Sequence, residues 1–170
     1  MRNCITEDRK GTQGNSEEIK AISFSVYGDP VSKLRPRTVR NKGSGKAVHT
    51  FTPQKTVDQE KKIALVYKSI YGSFKFEKNV PLRVEVDFFL KIPKSTSKKK
   101  RQKMNDGENR PTKKVGDTDN YLKCATDSIN GIAYDDDSQI VEIIGRKFYS
   151  DQPRTEILIM RVGGDGNDLH

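Results

Sequence analysis

Asp117 and Asp119 stand two residues apart at the head of the segment DTDNYLKCATDSINGI, and Asp135, Asp136 and Asp137 stand together in the turn that follows it. Each has a plain explanation. Carboxylates at a helix start interact well with the free backbone N–H groups there, and a run of three acids is an ordinary solvated turn. Lys123, four residues after Asp119, makes an ordinary surface ion pair. The set together is harder to dismiss, because several carboxylates on one side of a cleft repel one another. A hard divalent cation with oxygen ligands offsets that repulsion. Mg²⁺ suits sites of two or three carboxylates with retained waters, and Mn²⁺ is accepted by the same ligands. About three turns of helix and a short link separate the two clusters. The expectation is that the link returns the chain beside the helix start, so that the clusters meet.

The chain's positive charge lies next to these acids. Residues 91–114 carry ten Lys and Arg against two acids, which is nearly all of the net +9. Such a block repels itself, and the expectation over 93–116 is a mobile basic loop or a frayed helix. It is either a solubilising loop or a phosphate-binding arm, since Lys-rich segments gain free energy by releasing counterions from DNA. A carboxylate–metal site beside such an arm suits phosphodiester hydrolysis. The metal activates water and stabilises the leaving oxygen, and a nearby Lys binds the phosphate.

The elements that must position these residues follow from periodicity. Residues 21–28 read as a strand with Phe24 and Val26 on one face, ended by Gly28. A basic, turn-rich stretch then predicts two short strands around NKGSGK. Thr52-Pro53 is a good helix start, and the helix should run from about 53 to 71 with Val57, Ala64, Tyr67 and Ile70 toward the core. From Val80 to Leu90 apolar residues alternate with Arg83, Glu85 and Asp87, the mark of a strand with one buried and one wet face. A second helix follows the basic segment, with Leu122, Ala125, Ile129 and Cys124 as its stripe and Asn130-Gly131 as its end. Strands at about 139–149 and 157–162 complete the order β-β-β-α-β-α-β-β. That order predicts an α+β fold, a mixed, mainly antiparallel sheet with two principal helices packed on it. The domain should span 21–162, between a disordered lead (1–20) and a disordered tail (163–170).

Composition narrows the function classes. The 170 residues suffice for one domain, and a hydrophobic share of 32% is lean. An excess of base over acid points to a polyanionic partner, nucleic acid first. Two cysteines, Cys4 and Cys124, make no disulfide framework, and two histidines, His49 and His170, leave a His-rich metal site or a Ser-His-Asp triad improbable. No apolar run approaches a membrane span, and the start lacks a signal-peptide stretch, so a cytoplasmic protein with no membrane partner is expected. GSGK at 43–46 fails as a P-loop because Arg40 and Ala47 occupy its Gly and Ser/Thr positions. DDDSQIVE fails as an EF-hand because its Gly would fall on Ile140.

The segment DTDNYLKCATDSINGIAYDDDSQIVE (117–142) resembles the D-x-D-N-x-x-K…DD-x-Q pattern of the RusA-type Holliday-junction resolvases, in their phage and prophage branch. GDPVSKLRPR (28–37) is similar to a G-x-P-x-x-K-x-R-P-R segment of the family, FTPQKT (51–56) to the run into its first helix, and Lys147 also fits. The resemblance covers roughly 21–160. It implies a homodimeric, Mg²⁺-dependent endonuclease that nicks two strands symmetrically at a four-way junction, with no small-molecule cofactor. Carried over by position, Asp117, Asp119 and Asp137 would be the metal-binding carboxylates and Lys123 the catalytic or phosphate-binding lysine. Asn120, Asp136, Gln139 and Lys147 would be supporting residues. Lys98, Lys99, Lys100, Arg101, Lys113 and Lys114, with Lys33, Arg35 and Arg37, are the candidate DNA contacts. One departure is Gly116, where the family often carries a basic residue or proline before the first Asp. Two other readings stand beside this one: a non-catalytic basic nucleic-acid-binding protein whose acids only cap, and a related metal nuclease acting on other branched DNA.

Overall fold

Alternation of burial along β1, β4 and β6 sorts the main sheet into a helix-covered face and an open face. The computed structural model describes residues 19–35, 37–40, 48–112 and 115–163. The elements are β1 (Ala21–Tyr27), β2 (Arg37–Arg40), β3 (Val48–Phe51), α1 (Gln54–Tyr71), β4 (Leu82–Lys91), α2 (Lys98–Asn105), α3 (Thr118–Ile129), a 3-10 turn at Asp137–Gln139, β5 (Ile140–Ser150) and β6 (Arg154–Arg161). β2 and β3 form their own antiparallel pair, while the main sheet has the order β1-β6-β4-β5. β1 and β4 run antiparallel to β6, and β4 and β5 run parallel. This is the mixed α+β sheet that the periodicity predicts.

α1 and α3 pack side by side on one face. Ile22, Phe24 and Val26 of β1, Val84, Val86 and Phe88 of β4, and Ile157 and Ile159 of β6 meet Ile63 and Tyr67 of α1 and Tyr121, Ala125 and Ile129 of α3. Burial of such side chains supplies most of the stabilisation, about 1.5–3 kcal/mol for each large apolar group. The face of α1 is a correction to the sequence reading. Thr56, Gln59, Ile63 and Tyr67 are buried, while Ile70 is exposed. The polar Thr56 can be buried because its Oγ1 accepts the Leu34 N–H at 3.3 Å, a bond the apolar pattern could not reveal. Pro53 is the cap and Gln54 the first helical residue, one position later than expected.

The open face of the sheet is held by charge. Glu85 bonds both Arg83 and Arg146, and Arg146 also reaches Asp87 at 3.0 Å. The hydrogen bond from Arg146 holds the Glu85 carboxyl below its ordinary range. Further along, Phe89 and Phe148 stack with centroids 5.1 Å apart, and each outer face carries a guanidinium at 3.7 Å, Arg154 over Phe89 and Arg110 over Phe148.

Of the two forms expected for the basic segment 93–116, a mobile loop or a frayed helix, part of it takes the helical one. Residues Lys98–Asn105 form two helical turns against β5. Met104 is buried, Arg101 pairs with Asp151, and Asn105 exchanges two hydrogen bonds with the same residue. Self-repulsion is relieved locally as well, since Lys103 meets Glu108 at 2.9 Å. Among the described residues no helix is long and apolar enough to cross a membrane.

Gly145 lets α3 sit close to the sheet. A Cβ there would stand 2.7 Å from Leu122 Cδ1 and 2.8 Å from its Cγ. Gly145→Val should therefore destabilise the fold by about 1–3 kcal/mol through overpacking, read as a lower midpoint in urea unfolding with an unchanged slope. An unchanged midpoint would show that α3 is free to lift away.

Candidate active site

Parallel pairing of β4 and β5 forces the chain to cross over between them, and α3 makes the return run antiparallel to β5. The start of α3 therefore lies near the end of β5, where Lys147 Nζ donates to the Gly116 carbonyl at 2.9 Å. The end of α3 lies near the turn that opens β5. There Tyr134 Oη donates to the Thr126 carbonyl at 2.9 Å.

At the α3 start, Asp117 occupies the N-cap position with extended backbone (φ −69°, ψ 146°), but its side chain makes no capping bond. Ordinary capping therefore does not account for it. Asp119, in the first turn, lies 3.8 Å from Lys123 Nζ, and both side chains are 64% exposed. The Asn120 carbonyl accepts the Lys33 N–H at 2.8 Å. Two exposed carboxylates, the Lys123 ammonium and the half-buried Lys147 thus gather at one end of one helix.

The three acids of the turn are sorted differently. Asp135 is paired with Lys75 and with Lys78, and the bond from Lys75 holds its carboxyl below the usual range. Asp136 accepts the Ser138 N–H at 2.9 Å and closes a capping box with Gln139, and its carboxyl is held low chiefly by its bond with Ser138. The buried Gln139 side chain accepts the Asp135 N–H at 2.9 Å and donates to the Glu77 carbonyl at 2.8 Å, which pins the turn to the approach to β4. Asp137 is exposed and has no basic partner among the described residues.

One geometric expectation is corrected here. The link does not bring the second cluster back to the helix start. The 12 residues of α3 span about 18 Å, and Asp137 follows the far end. Within one chain Asp117 and Asp119 come together, and Asp137 does not join them. Among the described residues no three acid, His or Cys side chains gather closely enough to hold a metal ion. The oxygen-only donors at the α3 start fit a hard cation in kind, but they supply two protein ligands rather than three.

The candidate DNA contacts also divide. Lys98, Lys99 and Lys100 are exposed on α2 without an ion-pair partner among the described residues, whereas Arg101 is taken up by Asp151. Arg35 is exposed; Arg37 lies in β2, its side chain outside the described residues, as are Lys113 and Lys114. Lys33 is clamped between Asp127 and Glu60. Partial burial pushes its pKa down, but the bond to Asp127 and the two negative charges outweigh that and leave it raised. The sequence offered no signal for this clamp, because Lys33 and Asp127 are 94 positions apart. It also missed Arg110, which donates to the Lys147 carbonyl at 3.0 Å while lying on Phe148.

Comparison with known proteins gives the chain's family. A relative in Bacillus subtilis (strain 168), described as the uncharacterized protein YqaN, is 40% identical over 150 residues, covering 83% of this chain and 96% of the relative. The family model described as Endodeoxyribonuclease RusA matches residues 27–160, a span that takes in the α3 start, Lys123, the acidic turn and Lys147, and on that match the chain belongs to the RusA endodeoxyribonuclease family.

Proposed function

We propose that the protein is a homodimeric, Mg²⁺-dependent endonuclease that resolves four-way DNA junctions by paired symmetric nicks, with Mn²⁺ able to substitute. The observation that carries the reading is the pair Asp117 and Asp119. Both acids are exposed at a helix start that neither caps, beside Lys123 and Lys147, in a chain of net charge +9. A pure DNA binder gains nothing from unneutralised acids beside its basic surface, since they repel phosphate. Asp117, Asp119 and Asp137 would hold the ion, which when bound supplies an activated water and charge for the leaving oxygen. Lys123 stands where it can bind the scissile phosphate. Lys147, Asp136 and Gln139 hold the backbone on which the acids sit. Incubation with a synthetic four-way junction, with and without Mg²⁺, should give paired nicks on a denaturing gel only with the metal. Absence of nicking with either Mg²⁺ or Mn²⁺ would overturn the reading.

The separation of Asp137 from the other two acids gives the dimer a chemical role. β5 is an edge strand, and Val141 and Ile143 near its start are 59% and 48% exposed. Antiparallel pairing of β5 with the same strand of a second copy would lay the start of each strand, with Asp137, beside the end of the other, with Lys147 and the α3 start. A C₂ dimer of this kind also matches the two-fold symmetry of a four-way junction. Mixing Asp119→Asn and Asp137→Asn subunits, each inactive alone, should then restore single nicking, because one of the two shared sites in the mixed dimer is intact. No recovery after subunit exchange would place all three ligands in one chain or remove Asp137 from the site. Asp119→Asn alone should leave the melting temperature nearly unchanged, cut cleavage by orders of magnitude, and leave junction binding in EDTA equal or tighter.

The basic helix α2 should govern affinity. Lys98→Ala, Lys99→Ala and Lys100→Ala together should flatten the dependence of log Kd on log salt by about 0.9 for each phosphate that is no longer neutralised. An unchanged slope would show that α2 does not meet DNA.

A further inference from the structure

We propose that Lys33 is a positioning residue: clamped between Asp127 and Glu60, it holds the strap 28–35 across the start of α3, so that Arg35 is presented on the side of the molecule that carries Asp117 and Asp119. The DNA-facing half of this inference rests on the function proposed above.

The strap is tied down along its length. The Gly28 N–H donates to the Pro153 carbonyl at 2.8 Å, and Pro30 is buried. Ser32 lies so close to Gly116 that a Cβ there would stand 2.5 Å from its Oγ. The Lys33 N–H reaches the Asn120 carbonyl at 2.8 Å, and the Leu34 N–H reaches Thr56 Oγ1 at 3.3 Å. Lys33 Nζ meets Asp127 of α3, as well as Glu60 of α1 at 3.4 Å, so one ammonium bridges both helices. With two carboxylates already on it, this Lys is ill suited to meet a phosphate. It neutralises two acids that would otherwise repel DNA, and it fixes the chain on its approach to β2. The clamp is about one-third exposed, at 33% for Lys33 and 37% for Asp127, so its loss should open the strap locally rather than unfold the domain.

The test compares Lys33→Met, Asp127→Asn and the exchanged pair Lys33→Asp with Asp127→Lys. Amide hydrogen exchange at Lys33 and Leu34 reports the strap, and junction affinity in EDTA reports its consequence. Both single variants should exchange at least tenfold faster at those two amides, with β4 unchanged, and should bind junctions several-fold more weakly. The exchanged pair should recover both properties. Weaker binding by Asp127→Asn is decisive, because removing an acid near a phosphate site should otherwise tighten binding. If Asp127→Asn tightens binding while Lys33→Met weakens it, Lys33 is a direct phosphate contact and the proposal falls. Unchanged exchange in both single variants overturns it as well. If the unaltered protein fails to bind junctions at all, the function proposed above fails along with the DNA-facing half of this inference, and the exchange measurement alone decides the clamp.

Discussion

The parallel pairing of β4 with β5 decides where every functional side chain lies. Parallel neighbours cannot be joined by a tight turn, so the chain must leave the end of β4, cross the sheet and re-enter β5 at the opposite edge. α2 forms on the way out and α3 on the way back. Because α3 runs against β5, its first turn lies near the strand's end and its last turn near the strand's start. Residues adjacent to α3 in sequence are therefore separated by its full length. Asp117 and Asp137 look like neighbours along the chain, yet they mark opposite ends of one crossover. In the dimer proposed above, a two-fold axis perpendicular to β5 would set the start of each copy's strand against the end of the other's.

Among the described residues, many acids are fixed by a partner. Asp135, Asp136, Glu85, Asp87, Asp127 and Asp151 each have a base or a backbone N–H that fixes them. They serve the fold, and their presence in a basic protein needs no further function. Asp117 and Asp137 have no basic partner among the described residues, and Asp119 has only a long contact to an exposed Lys. A carboxylate left without a counter-charge near like charges is a carboxylate that a cation would stabilise. Asp29 is likewise exposed without a basic partner among the described residues, so the lack of a counter-charge is a property these three acids share rather than one that selects them.

Legibility in the sequence followed how local each signal was. The alternation of β4 and the stripe of α3 were readable because burial repeats every two residues in a strand and every three or four in a helix. The β2–β3 pair followed from turn chemistry. The buried face of α1 differs from its apolar pattern because its first half buries the polar Thr56 and Gln59, and Thr56 takes the N–H of Leu34 from the distant strap. α2 was missed as a docked helix because its stability comes from Met104 and from Asp151, 50 residues away from Arg101. At the candidate site the sequence proposes residues but not how they assemble. Types and spacing named Asp117, Asp119 and Lys123, whereas the position of Asp137 depends on strand direction, which no local pattern encodes.

Gly116 shows how a departure from a family pattern can be absorbed by packing. Its backbone is not in the left-handed region, so freedom of φ is not what selects glycine there. The requirement is space. Any side chain would meet Ser32 at 2.5–2.6 Å and Tyr121 at 3.1 Å. With glycine in place, the strap closes on the residue before Asp117 from one side, and Lys147 holds its carbonyl from the other. The peptide leading into the first carboxylate is thereby fixed by a strand, a helix and a strap at once. A carboxylate carried on so constrained a backbone loses little further freedom when it takes up a ligand, which is the physical content of preorganisation. A basic or proline residue at this position would have to give up this approach. The one ammonium given beside this peptide is Lys147, which donates to the Gly116 carbonyl at 2.9 Å.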